Sequence, residues 1–185
     1  MVFTIYDAFT LYVLVEAVWL ILPAYAANGL APLARGRRYI DGGRKLQGRP
    51  VFGAGKTWEG LLFGSFMGAV IGAVQQFASP YLPWSASPVA LHTVPMSALL
   101  GLLLGAGAML GDLCGAFVKR RLNMPRGQSA PILDQLDFIV GALILSSALI
   151  TIKWEWAVLL VVMTPFLHLV ANVIAYLIRL KKEPW

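Results

Sequence analysis

Trp58-Glu-Gly60-Leu-Leu-Phe-Gly64-Ser-Phe-Met-Gly68-Ala-Val-Ile-Gly72-Ala-Val-Gln-Gln-Phe77 is the stretch that decides the fold. The hydrocarbon core of a bilayer is roughly 30 Å thick, so a helix rising about 1.5 Å per residue crosses it with about 20 mostly apolar residues. This run meets that requirement. Its glycines recur at every fourth position, which puts them on one helix face and lets a neighbouring backbone approach closely within lipid. Gly107, Gly111 and Gly115 repeat the pattern farther along the chain, and the same packing role is expected of them.

Working outward, four more stretches are long and apolar enough to cross. They cover about 3–26, 94–118, 134–152 and 156–178, and they join 58–77 in a predicted bundle of five transmembrane helices. The first is too long for a removable signal peptide and lacks a small-residue cleavage site. The composition agrees. Of the 185 residues, 58% are hydrophobic and 13% charged, whereas a soluble domain is nearer half apolar and a quarter charged. The expected class is all-α, a polytopic protein of the cell membrane, with 1–185 forming one integral membrane domain. Trp84, Trp154, Trp156 and Trp185 stand near span ends, where tryptophan anchors a helix at the interface. The lone Cys114 excludes an intrachain disulfide and reads as a small packing residue.

Orientation follows from the basic residues. Fourteen of the fifteen lie in the loop 27–57, the loop 119–133 or the C-terminal tail with Arg179, Lys181 and Lys182; the other is Lys153. The positive-inside rule places both loops and the C-terminus in the cytoplasm and the N-terminus outside. The net charge of +6 is then loop charge, and no nucleic-acid partner is expected. The lipid bilayer is the expected surrounding. Oligomeric state is not legible.

Charged side chains within spans are costly, about 2.5–3.5 kcal/mol each at the bilayer centre on insertion scales. Those that occur therefore mark candidate chemistry. Asp134 and Asp137 are three apart at the start of the fourth helix and share a face. Asp112 lies near the cytoplasmic end of the third, with Lys119 seven residues on along the same face. Hard oxygen donors in this number suit Mg²⁺, which takes one or two carboxylates together with substrate phosphates. Lys119, Arg120, Arg121 and Arg126 beside these acids form a plausible phosphate clamp, the usual parts of phosphoryl or nucleotidyl transfer. Each of these bases is equally a candidate for ordinary cytoplasmic loop charge.

In the first loop, Gly55-Lys56-Thr57 is not a P-loop, since that spacing needs glycine where Pro50 stands. Lys56 and Thr57 nevertheless precede a helix N-terminus, which attracts phosphate, and simple loop-to-helix punctuation is the competing reading. Glu16 lies deep in the first span. It is expected to face a polar cavity or to pair with His168 or Asn172, which share a face of the last helix.

The run Gly111-Asp-Leu-Cys-Gly-Ala-Phe-Val-Lys119-Arg120-Arg121, followed by Pro131-Ile-Leu-Asp134-Gln-Leu-Asp137-Phe, resembles the C-terminal signature of the CTP-dependent phosphatidate cytidylyltransferases, or CDP-diacylglycerol synthases. Lys56-Thr57-Trp58-Glu59-Gly60 resembles the same family's Lys-Thr-x-Glu-Gly element. The family's serine before Lys-Arg is Ala116 here, its Gly-His-Gly-Gly element is missing, and Gln135 replaces an arginine. With five spans, the chain is more similar to the family's archaeal branch. The resemblance implies transfer of CMP from CTP to an isoprenoid ether-lipid phosphate, 2,3-bis-O-geranylgeranyl-glycerol 1-phosphate, at the cytoplasmic surface. It implies that Asp112, Asp134 and Asp137 hold Mg²⁺ against the CTP phosphates. Lys119, Arg120 and Arg121 would then stabilise charge on the nucleotide, and Lys56, Thr57 and Glu59 would shape the place where lipid phosphate meets CTP.

Two other readings compete. A CDP-alcohol phosphotransferase needs glycine after the second aspartate, and Phe138 stands there. A small transporter or channel would use Glu16, His168 and Asn172 as a polar pathway and consume no CTP.

Overall fold

The computed structural model describes residues 11–84, 91–128 and 130–177, with the last helix's side chains described through 167 and at 170 and 173. Five α-helices lie among them: α1 Leu11–Leu30, α2 Trp58–Ala78, α3 Ala98–Arg121, α4 Pro131–Ser146 and α5 Trp154–Leu177. Asp7, Trp185 and the tail bases Arg179, Lys181 and Lys182 lie outside the described residues. So do the side chains of His168 and Asn172.

The helix ends follow local chemistry. Thr57 caps α2 by accepting from the N–H of Gly60, and Ser97 caps α3 by accepting from Leu100. The third helix was expected to begin near residue 94. Pro95 and the Ser97 cap delay it to Ala98, because proline disfavours helix in the residue before it. The fourth, expected over 134–152, starts at Pro131 and ends at Ser146. Ser146 and Ser147 donate to the carbonyls of Leu143 and Ile144, the kind of local bond that competes with helix continuation.

Three segments, Leu11–Ala34, Trp58–Tyr81 and Ala98–Arg121, are each long and apolar enough to cross a membrane. The 16 residues of α4 rise only about 24 Å, less than the ~30 Å hydrocarbon core. In α5 the apolar stretch within the described residues is Trp154–Leu167. The outward faces carry large apolar side chains such as Leu62, Phe66, Phe77, Ile144 and Val162, all more than half exposed. Lipid, not water, suits such a surface.

Helix α3 is the centre of the bundle, packed on α2 along one side and on α4 along another. The glycine stripes make both contacts. A Cβ on Gly68 would lie 2.7 Å from the Cα of Gly105, and one on Gly72 would lie 2.7 Å from the Cα of Gly101. On the other side, a Cβ on Gly107 would sit 2.8 Å from the Cα of Ala142. Backbone thus meets backbone with no room for a methyl group, and the expected packing role holds. Gly60, Gly64 and Gly115 differ, since each meets a side chain first: the capping hydroxyl of Thr57, the Met109 thioether and the Asp137 carboxylate. Leu20, Ile21, Leu104, Phe138, Ile139 and Leu160 fill the core between α1, α3, α4 and α5.

Consecutive helices run in opposite directions, so connections alternate between the two ends of the bundle. At the end where α4 turns into α5, Glu16 is 3% exposed, and its partners among the described residues come from two connections and the start of α5. Its Oε1 accepts from the His92 N–H at 2.6 Å, and its Oε2 accepts from Lys153 Nζ and Trp156 Nε1, both at 3.0 Å. The Lys153 ammonium also lies over the Trp156 ring, 4.8 Å from its centroid. Trp156 is therefore a buried donor and not an interfacial anchor. Trp84 is likewise taken up inward, edge-to-face on Trp19 and donating to the Ser79 carbonyl. Trp154 is exposed.

Candidate active site

The opposite end carries the loops 31–57 and 122–130. In the first, an Ala31–Ala34 3₁₀ turn follows α1, and a two-residue hairpin pairs β1 Lys45–Leu46 with β2 Arg49–Pro50. Asp41 organises this loop from within. Its carboxylate accepts from the N–H groups of Gly43, Phe52 and Gly53 at 2.9–3.0 Å. Burial alone would raise this carboxyl, but the Gly53, Phe52 and Gly43 amides outweigh it and hold it below the ordinary aspartate range. The hairpin is set by Gln47 and Gly48, both at positive φ, a turn that matches strand twist.

Arg121 ties the hairpin to the end of α3. Its guanidinium donates to the carbonyls of Leu46 and Pro50, both at 2.6 Å, and stacks 5.3 Å from the Phe117 ring centroid. Arg49 reciprocates, donating to the Arg121 carbonyl at 2.7 Å. Arg120 donates to the Met124 carbonyl at 2.5 Å. Arg120 and Arg121, expected to face the nucleotide, donate to main-chain carbonyls, Arg120 just past the helix end and Arg121 on the hairpin.

The acids and lysines do come together. Lys56 Nζ lies 2.5 Å from Asp112 Oδ2, and Lys119 Nζ lies 2.5 Å from Asp134 Oδ1. All four side chains are partly exposed. Asp134 also accepts from the Ala130 N–H at 2.9 Å, capping its own helix. Asp137 lies within electrostatic reach of Asp112, Asp134 and Lys56. Its carboxylate fills the space where Gly115 lacks a side chain, and its main-chain carbonyl fills that at Gly111. Its Oδ1 accepts from the Phe138 N–H at 2.6 Å. Here the α3 glycines have a second consequence: they let α4 bring Asp137 against α3.

A cleft of about 390 Å³ opens beside the first ion pair. Lys56, Thr57, Asp112 and Arg126 line it, together with Asn28 and Arg35, which sequence reasoning did not single out. Lys119, Asp134 and Asp137 are not part of that lining. Glu59 turns to the loop, where its Oε2 accepts from the Arg38 N–H at 3.2 Å.

The expected three-carboxylate metal set is not a ready-made cage. Among the described residues, no three acidic, histidine or cysteine side chains stand close enough to hold a metal by themselves. Two of the three acids are instead paired with lysines, Asp112 with Lys56 and Asp134 with Lys119. The donor chemistry still fits Mg²⁺, which takes few carboxylate oxygens and leaves positions for water and substrate phosphate.

Comparison with known proteins shows the family. The profile of the CarS-like, CDP-archaeol synthase family matches residues 10–185. The CDP-archaeol synthase of Thermococcus onnurineus (strain NA1) is 43% identical over 173 residues, covering 93% of this chain and 97% of that protein. That of Pyrobaculum arsenaticum (strain DSM 13514 / JCM 11321 / PZ6) is 42% identical over 179 residues, covering 95% and 99%. A solved structure described as an intramembrane enzyme for archaeal membrane lipids biosynthesis superposes with a TM-score of 0.73. It is 42% identical, covering 86% of this chain and 94% of that one. The chain therefore belongs to the CDP-archaeol synthase family of CTP-dependent cytidylyltransferases.

Proposed function

We propose that the protein transfers CMP from CTP to 2,3-bis-O-geranylgeranyl-glycerol 1-phosphate, in the presence of Mg²⁺, to give CDP-archaeol and pyrophosphate. The observation that carries this reading is the double ion pair, Lys56–Asp112 and Lys119–Asp134, with Asp137 between α3 and α4. A phosphate monoester is already an anionic nucleophile at neutral pH, so no protein base is needed. An oxygen of the lipid phosphate attacks the α-phosphorus of CTP. The new P–O bond forms as the bond to the β-phosphate's bridging oxygen breaks, and pyrophosphate leaves with the electron pair.

Asp112, Asp134 and Asp137 would hold the Mg²⁺, whose charge offsets that of the CTP phosphates. With a cation bound there, the ammonium groups of Lys56 and Lys119 would be available to phosphate oxygens. They then meet negative charge as it grows on the leaving group. Arg126, on the cleft wall, adds a guanidinium suited to phosphate. Thr57 and Glu59 act on the loop that frames the cleft. The loop charge and the apolar helices support a five-span bundle with this site at the cytoplasmic surface and the N-terminus outside. The lipid enters sideways with its phosphate at headgroup level.

The test supplies purified protein with labelled CTP, Mg²⁺ and digeranylgeranylglyceryl phosphate. Lipid-dependent incorporation of label with pyrophosphate release, both lost on chelation, is expected. No incorporation with any phosphatidate-like acceptor would overturn the reading. In sealed proteoliposomes, CTP should react only from the loop-bearing face, and equal reaction from both faces would overturn the topology.

A further inference from the structure

Arg35 combines three features that neither its loop nor its family signature explains. Its backbone is left-handed, with φ 46° and ψ 41°, a region that non-glycine residues seldom enter. It is among the residues that line the cleft beside Lys56 and Asp112. And it is exposed, with no hydrogen bond or ion pair to its guanidinium among the described residues, so the group is open to a ligand. A simple helix stop at this place would be met more cheaply by glycine, which takes positive φ without penalty.

The surrounding contacts fix that geometry. The Arg35 N–H donates to the Pro32 carbonyl at 3.2 Å, closing the 3₁₀ turn. The next residue, Gly36, is pressed against the start of α2. A Cβ there would overlap the Thr57 hydroxyl and lie 2.7 Å from Thr57 Cβ and 2.9 Å from Glu59 Oε2. Two residues on, the Arg38 N–H donates to Glu59, and the Trp58 N–H donates to the Arg38 carbonyl at 3.0 Å. Thr57 and Glu59 thus dock 36–38 along the segment that carries Lys56, and they leave Arg35 at the edge of the same cleft.

We infer that Arg35 binds a substrate phosphate, with Gly36, Thr57 and Glu59 as positioning residues that hold its backbone in place. The inference rests on the cytidylyltransferase reading and adds to it a residue and a reason for Thr57 and Glu59 that involves no substrate contact. An unpartnered planar guanidinium beside a lysine and an aspartate is suited to a phosphate, which it grips through two parallel N–H groups. The phosphate could be the lipid's or the nucleotide's. Leu33, two residues away, is apolar and 66% exposed, a surface that suits a lipid neighbour and favours the lipid's phosphate.

The test is steady-state turnover of Arg35→Ala, Arg35→Lys and Gly36→Ala in detergent, each substrate varied in turn, with melting temperature as the control for folding. Wild-type turnover in the same assay separates failure of this inference from failure of the reaction assignment. The expected result is a rise of about 10- to 100-fold in KM for the lipid phosphate in Arg35→Ala, with partial recovery in Arg35→Lys and an unchanged melting temperature. The same rise in KM for CTP alone would keep the phosphate role and assign it to the nucleotide. Both KM values within about twofold of wild type would overturn the inference, whatever happens to kcat. Gly36→Ala should reproduce the KM defect with Arg35 still present; a normal KM there would remove the positioning role.

Discussion

Glu16 on α1 and Asp112 on α3 each answer a lysine from a neighbouring connection, at opposite ends of one bundle, and the two pairs are built differently. The Glu16 carboxylate is 4% exposed and meets an ammonium, an indole N–H and a main-chain N–H drawn from two separate segments. Both of its oxygens are engaged within the fold. Asp112 is 33% exposed, has Lys56 as its partner, and opens onto a cleft. A buried charge survives when every lone pair is satisfied, and such a group has nothing left to offer a ligand. A half-exposed pair at a cleft can trade its partner for a cation and a phosphate at little cost. Lys153, Trp156 and the His92 N–H are what the Glu16 carboxylate meets among the described residues.

The contrast breaks most visibly in activity. Asp112→Asn and Asp134→Asn should each lower turnover on the order of 10²–10³-fold, the usual cost of removing one preorganised electrostatic group. Melting temperature should barely move, since these carboxylates are partly solvated and exposed ion pairs contribute little stability. Label transfer and thermal melting on the same preparations check both halves.

At the other end the signs reverse. Glu16→Gln should lower stability by about 2 kcal/mol, less than the full cost of breaking a buried pair because Lys153 remains partly solvated. Turnover per folded molecule should stay near wild type. A large loss of turnover with stability intact would show that the closed cluster serves the chemistry after all.

Much of this was legible before any coordinates. Apolar runs of about 20 residues announce the long helices, and glycines four apart announce which faces touch. Asp134 and Asp137, three apart, announce a shared face. What could not be read depends on pairings across the chain. Glu16 lies 137 positions from Lys153, and nothing local favours it over His168 or Asn172. Arg121 reads as one more cytoplasmic base until the hairpin carbonyls it binds are in place. The early end of α4 turns on two serine hydroxyls whose choice between solvent and backbone is settled by packing. Arg35 has no spacing signal at all, because its left-handed backbone is imposed by Thr57 and Glu59 more than twenty residues later.

The smallest effect concerns the loop that frames the cleft. Asp41 is held below its ordinary pKa in the folded loop, so its contribution is full above the unfolded value near 3.8 and fades as pH falls through the lower folded value. Protease cutting within 41–53 should therefore rise only at acid pH, below about 4. Asp41→Asn should show raised cutting already at neutral pH and little further change on acidification. An identical acid response in both proteins would remove Asp41 as the organiser of the loop.

The most direct test of the contrast is Asp137→Asn, with label transfer from CTP and thermal melting measured side by side in one detergent. Asparagine keeps the shape and an acceptor oxygen for the Phe138 N–H while removing the charge. The account predicts a loss of transfer of at least about 100-fold with melting within about 2 °C of wild type. Wild-type transfer by a folded Asp137→Asn protein would contradict it, and the charged end of the bundle would then be topology and not chemistry.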